Sequence, residues 1–123
     1  FVQMTVAEAA AAIDAATLIM RSGRATAEAL VEQSEPIPPE CATRARRDMT
    51  YAQHQVRWAV EQLVELCGAR SVYDADALAS IRRDLLTVLT HNVASRQAAM
   101  GAWGKWALGA NDAQATMLAP PST

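Results

Sequence analysis

Side chains that bind metals or act as nucleophiles are scarce in this sequence, with two histidines and two cysteines among 123 residues. His54 and His91 are far apart and neither belongs to a Glu-x-x-His pair, which excludes the two-histidine di-iron signature of helical bundles. Cys41 and Cys67 match no metal or redox spacing. Cys67 falls on the apolar side of its predicted helix and is expected to be a small core residue. Aromatic residues are only 5% of the chain and the formal net charge is −2. No basic stripe is available to neutralise phosphates, so nucleic acid is not an expected partner. Arg44, Arg46 and Arg47 form the one local basic cluster, but Glu40 and Asp48 flank it and a solvated helix face explains it. No apolar run reads as long enough to span a bilayer, and no basic segment precedes one at the start. The expectation is therefore a cytoplasmic protein without a membrane partner. Repeats are absent, and nothing resembles a strand with its turn.

What is present is alanine, in long stretches with few β-branched runs, and that composition favours closely packed helices. A first helix is expected from about Thr5, with Thr5 capping the first amides and Glu8 closing the capping box. Val6, Ala9, Ile13, Ala16, Met20, Ala27 and Leu30 or Val31 recur at helical spacing. Gly23 interrupts the run without ending it, and the prolines at 36, 38 and 39 stop the helix near Gln33. Pro39 suits the first turn of a second helix, with Glu40 near its positive end. There Met49, Ala52, Val56, Ala59 or Val60, Leu63, and Leu66 or Cys67 form the packing stripe. His54 lies off that stripe and reads as exposed. Gly68 is the expected left-handed cap, followed by a connection through Asp76.

A third helix is expected from Ala77 as far as Ala107, weakened by Gly101 and Gly104. Trp103 and Trp106 fall on one side of it, suited to burial against a neighbour. The residues from Gly109 onward read as an irregular tail. Three long antiparallel helices, the first two each on the order of 40 Å, make an all-α domain: three helices of an up-down four-helix bundle. The fourth is expected from further sequence or from another subunit. The whole of 1–123 reads as one domain, and its start at Phe1 reads as a piece of a longer protein.

Within the third helix, Leu78, Ile81, Leu85, Val88 and Leu89 form an apolar stripe. Ser80, Asp84, Thr87 and His91 form a separate polar one. Asp84 and His91 are two turns apart, roughly 10 Å, so they cannot be a catalytic pair of the Ser-His-Asp type. The imidazole must act on something in a groove, or be structural.

The segment ELCGARSVYDADALASIRRDLLTVLTH is similar to the C-terminal helical domain of the acyl-CoA dehydrogenase superfamily. More closely it resembles the reduced-flavin monooxygenases of that superfamily, the oxygenase components of two-component hydroxylases. Gly68, Ala69 and Ser71 match the family's turn, Arg83 and Asp84 its Arg-Asp pair, and His91 its histidine seven residues later. Ala79 and Ser80 stand where the family has Gln-Arg, so a contact made by that Arg is not carried over. Many acyl-CoA dehydrogenases carry their catalytic Glu eight residues after the Asp. Here that position is Asn92, and an amide cannot remove a proton.

The resemblance implies a flavin, FMN or FAD, used in reduced form. Its C4a-hydroperoxide would hydroxylate an aromatic or related small molecule, with a separate flavin reductase as partner. It further implies His91 as the catalytic group, Thr87 at the flavin edge, and the Gly68, Ala69 and Ser71 turn against the cofactor of an adjacent subunit. The assembly implied is a homo-oligomer, dimer or tetramer. Arg83 and Asp84 read as ion pairs between helices. A β-domain and further helices would complete the site, so this segment alone is expected to hold flavin incompletely and to be inactive. Two other readings remain: an acyl-CoA dehydrogenase with its base elsewhere, and a non-catalytic helical oligomerisation module.

Overall fold

A computed structural model of the chain describes residues 1–68, 77–90 and 93–109, with the side chains of residues 93–95 left aside. The described residues form four helices and no strand: α1 (Val2–Glu32), α2 (Pro39–Cys67), α3 (Ala77–Thr90) and α4 (Val93–Ala107). The expected all-α, bundle-like architecture is what the chain adopts. The single third helix expected over 77–107 is instead two helices, interrupted at residues 91 and 92.

α1 begins earlier than expected. Its N-cap is Phe1 without a side-chain cap, and the Thr5 hydroxyl donates back to the Phe1 carbonyl at 3.1 Å. The capping box of Thr5 and Glu8 therefore does not form. At the other end the chain leaves the helix before any proline. Ser34 takes a positive φ of 53°, its amide donates to Val31 (3.0 Å), and the Glu35 amide donates to Leu30 (3.1 Å). Those two bonds are a Schellman motif, normally closed by glycine. α2 starts with Pro38 as N-cap and Pro39 at its first position, where a missing amide proton costs nothing. It ends at Gly68, whose φ of 64° and ψ of −145° lie outside the left-handed helical region that was expected. That combination belongs to a part of backbone space used almost only by glycine.

α2 is the central helix. Ala9 and Ala12 of α1 cluster with Ala59 of α2, and Leu63 packs against them. Toward the other end, Ser22, Thr26 and Leu30 share a cleft with Cys41, Ala45 and Asp48. As α1 runs up in number α2 runs down, so the two form an antiparallel hairpin. On a second face α2 meets α3 and α4. Arg82 of α3 reaches Glu61, and Trp103 of α4 lies under Arg47. Both helices thus run antiparallel to α2, one after the other along its length.

Small residues bring the axes together. Ala9, Ala12, Ala16, Ala52, Ala59, Ala79, Ala99 and Ala102 supply nearly the whole buried apolar core, with Val60. Thr43 and Thr50 are buried as well, and each satisfies its hydroxyl on a carbonyl of its own helix, Pro39 at 3.0 Å and Arg46 at 2.8 Å. Cys67, expected in the core, is exposed. Met49, Ile13 and Met20, all assigned to packing stripes, are also partly open to solvent.

Candidate functional site

The polar stripe of α3 is an outward face. Ala79 is its buried residue, with Leu78, Arg82, Leu85, Leu86 and Leu89 half-buried beside it, whereas Asp84 and Thr87 are exposed. On a helical wheel Asp84 and Thr87 point away from the side that meets α2. Ser80 shares their side and is half-buried. The apolar stripe is only partly used for packing, since Ile81 (54%) and Val88 (52%) remain exposed. These two lie just outside the arc that α2 covers.

The Thr87 hydroxyl donates to the Arg83 carbonyl at 3.0 Å, one turn back in the same helix. Its proton is therefore committed, while its oxygen lone pairs stay available as acceptors on an exposed surface. Thr90, one residue before the end of the described part of α3, does the same with Leu86 at 2.7 Å. The inter-helix ion pair on α3 is made by Arg82 rather than by the Arg83 and Asp84 pair: Arg82 Nε donates to Glu61 Oε1 at 2.9 Å. Asp84 itself is exposed.

Gly68 closes α2 with an exposed backbone and no atom within 4 Å of the space where a Cβ would sit. A ligand or another chain can therefore approach the main chain closely there. Gly68 precedes the Ala77 end of α3, whereas Thr87 lies ten residues along it, about 15 Å by the helical rise. Ala69, Ser71, His91 and Asn92 lie outside the described residues. Of the sequence-derived site, Gly68 and Thr87 are thus placed, on opposite ends of α3's span.

One feature of the surface was not apparent from the stripes taken singly. Ala16, Thr17, Met20, Arg21 and Arg24 of α1, Met49, Ala52, Gln53 and Val56 of α2, and Leu85 of α3 enclose an open apolar groove of about 670 Å³. It lies on the side of α3 next to Ile81 and Val88, away from Asp84 and Thr87. α1 is also more apolar than expected. Over its 31 residues it is long and apolar enough to cross a membrane, with a window of mean hydropathy 1.3 of which 22% is buried. This corrects the expectation that no run suffices.

His54 remains on the exposed flank of α2, as read from the sequence. Partial desolvation, then the positive charges of Arg96 on α4 and Arg57 on α2, hold its pKa below the ordinary 6.5. Among the described residues no three His, Cys, Asp or Glu side chains converge on a possible metal position.

Together, a helical bundle segment with an open polar helix face and an exposed glycine turn defines a part of a larger binding site rather than a closed one. The family model for the acyl-CoA dehydrogenase C-terminal domain matches residues 1–96, and the chain belongs to that family. It is a domain related to flavin enzymes, and flavin is the cofactor associated with the family. No curated protein and no solved structure matches the chain significantly.

Proposed function

We propose that this chain supplies one wall of the flavin site in a reduced-flavin-dependent monooxygenase acting on an aromatic or related small molecule. The observation that carries this reading is the exposed polar face of α3, where Thr87 keeps its oxygen free to accept a hydrogen bond. Such a face fits one edge of a flavin, whose ring offers an N–H donor. Gly68 fits a close backbone contact, and its distance along α3 from Thr87 favours the two positions serving different cofactors or different ends of one.

When bound, reduced flavin supplies the activation of dioxygen. The chain's own contribution is to orient and to handle protons. Thr87 accepts from the cofactor edge, and His91, just past the end of α3, holds or accepts a proton at a substrate hydroxyl. An imidazole suits that task because it titrates near neutrality. Asn92 beside it supports this reading over acyl-CoA dehydrogenation, since an amide is no base. The opposing wall has to come from outside the described residues, including further sequence or a neighbouring subunit of a homo-oligomer. A separate reductase would provide the reduced flavin.

In the protein that carries this domain, His91→Ala is expected to lower product formed per reduced flavin consumed by about 10² or more, the scale of a lost acid–base group. Hydrogen peroxide should appear in place of product. Unchanged coupling would remove the role given to His91, and reduction of bound flavin by an acyl-CoA would favour the dehydrogenase instead.

A further inference from the structure

We propose that the open groove between α1, α2 and α3 is the interface for a second copy of this chain, related by a two-fold axis beside α1. Val6, Ile13, Met20 and Ala27 recur every seven residues on α1, and Val2 and Val31 extend the same line. All of them are exposed, from 37% at Ile13 to 71% at Val31. This line lies about 75° around the helix from Thr5, Ala9, Ala12 and Ala16, which face α2. A helix with two such stripes is shaped for two helical neighbours, and a seven-residue repeat is the spacing that another helix meets.

The groove beside this seam continues the apolar surface through Met49, Val56 and Leu85, with Ile81 and Val88 at its α3 edge. The exposed apolar side chains along seam and groove offer an area on the order of the ~800 Å² per partner that a standard interface buries. The groove calls for an apolar helix face without charges, and the α1 seam is such a face. A two-fold arrangement lays each copy's seam against the other, so one patch covers itself. Arg24, at the margin, is already paired with Glu28 at 2.8 Å.

A bilayer is the rival occupant, given the hydropathy of α1. Glu8 and Asp14 argue against it. They lie on other sides of α1 from the seam, so a dimer leaves them in water. A spanning α1 would carry both into the hydrocarbon, at about 2.5–3.5 kcal/mol for an Asp near the centre on insertion scales. The interface also leaves Asp84 and Thr87 uncovered, because they occupy the far side of α3. The inference deepens the assembly part of the function proposed above. It does not depend on flavin, and its test reads mass alone.

Sedimentation velocity of the 123-residue chain between about 1 and 100 µM, where interfaces of this size commonly associate, should show a reversible dimer. Met20→Glu and Val31→Glu, with helicity checked by circular dichroism, should each raise the dimer Kd by about 30-fold or more, as loss of a central contact does. Leu18→Glu, an exposed position on the opposite side of α1 (66%), should leave it unchanged. A monomer throughout, a dimer indifferent to both seam variants, or flotation of the chain with phosphatidylcholine vesicles in place of dimerisation would overturn the proposal.

Discussion

Ser34 shows how a single residue can end a helix against its own preference. The motif that closes α1 needs a positive φ at this position, and Ser34 supplies it at 53° with a Cβ that crowds the following carbonyl. Ser34→Gly should relieve that strain and raise stability by about 1 kcal/mol, which for a chain of this size corresponds to about 4 °C in Tm. Thermal unfolding followed at 222 nm would check it. His54 sets a pH dependence with a definite sign. Its folded-state pKa lies below 6.5, so the unfolded chain takes up the proton first as pH falls. Its contribution is intact above that ordinary value and is lost as pH drops through the folded one. His54→Gln should therefore lessen the fall in urea midpoint between about pH 7.5 and about pH 5. The groups facing it, Arg57 and Arg96, stay charged throughout that range. An equal fall in both proteins would show that the imidazole is as easily protonated in the fold as outside it.

At the scale of helices, the contact between α2 and α4 rests on a stack the sequence did not reveal. Arg47 Nη2 and Nε reach Asp48 Oδ1 at 2.6 and 2.8 Å, and the same guanidinium lies 4.4 Å from the centre of the Trp103 ring. Trp106 leans against Trp103 with ring centres 6.1 Å apart. Arg47→Met keeps much of the stem but leaves the buried Asp48 without its partner and Trp103 without its cation. A loss of about 2 kcal/mol is expected, mostly from the unpaired carboxylate. Chemical denaturation of Arg47→Met beside Arg44→Met, whose side chain is exposed, would separate this from a general loss of charge.

The sequence reading treated 44, 46 and 47 alike, because spacing alone does not show which arginine meets an aromatic from a helix 56 residues away. The helix spans were legible, since alanine-rich periodicity and prolines are local signals. The break at 91 and 92 was not, because no proline or glycine stands there. The same limit applies to the site. Thr87 could be placed on a polar face from periodicity, but only packing reveals that this face points outward and that the neighbouring apolar stripe is half open. Thr43 and Thr50 were missed as core residues for a related reason: they look polar until their hydroxyls are seen bonded to their own helix.

Across the whole molecule, burial is unevenly shared, and stability should follow it. α2 contributes Ala52, Ala59 and Val60 to the core and is covered on two sides, by α1 and by α3 with α4. α3 buries Ala79 and is tied to α2 by the Arg82–Glu61 pair, whose side chains are 42% and 34% exposed. An ion pair that open is worth at most about 1 kcal/mol, while each well-buried aliphatic side chain is worth about 1.5–3 kcal/mol. α3 therefore has the least holding it in place, although it carries the polar face assigned to the cofactor. Binding elements are commonly drawn from the less stable part of a fold, because they must order around a ligand. Native-state hydrogen exchange should find the slowest amides in α2 between Ala52 and Val60 and the fastest helical ones in α3. The gap should be at least about 2 kcal/mol in opening free energy. Uniform protection across α2 and α3 would mean that the four helices open as one unit, and that α3 gains its stability from contacts beyond Ala79 and Arg82.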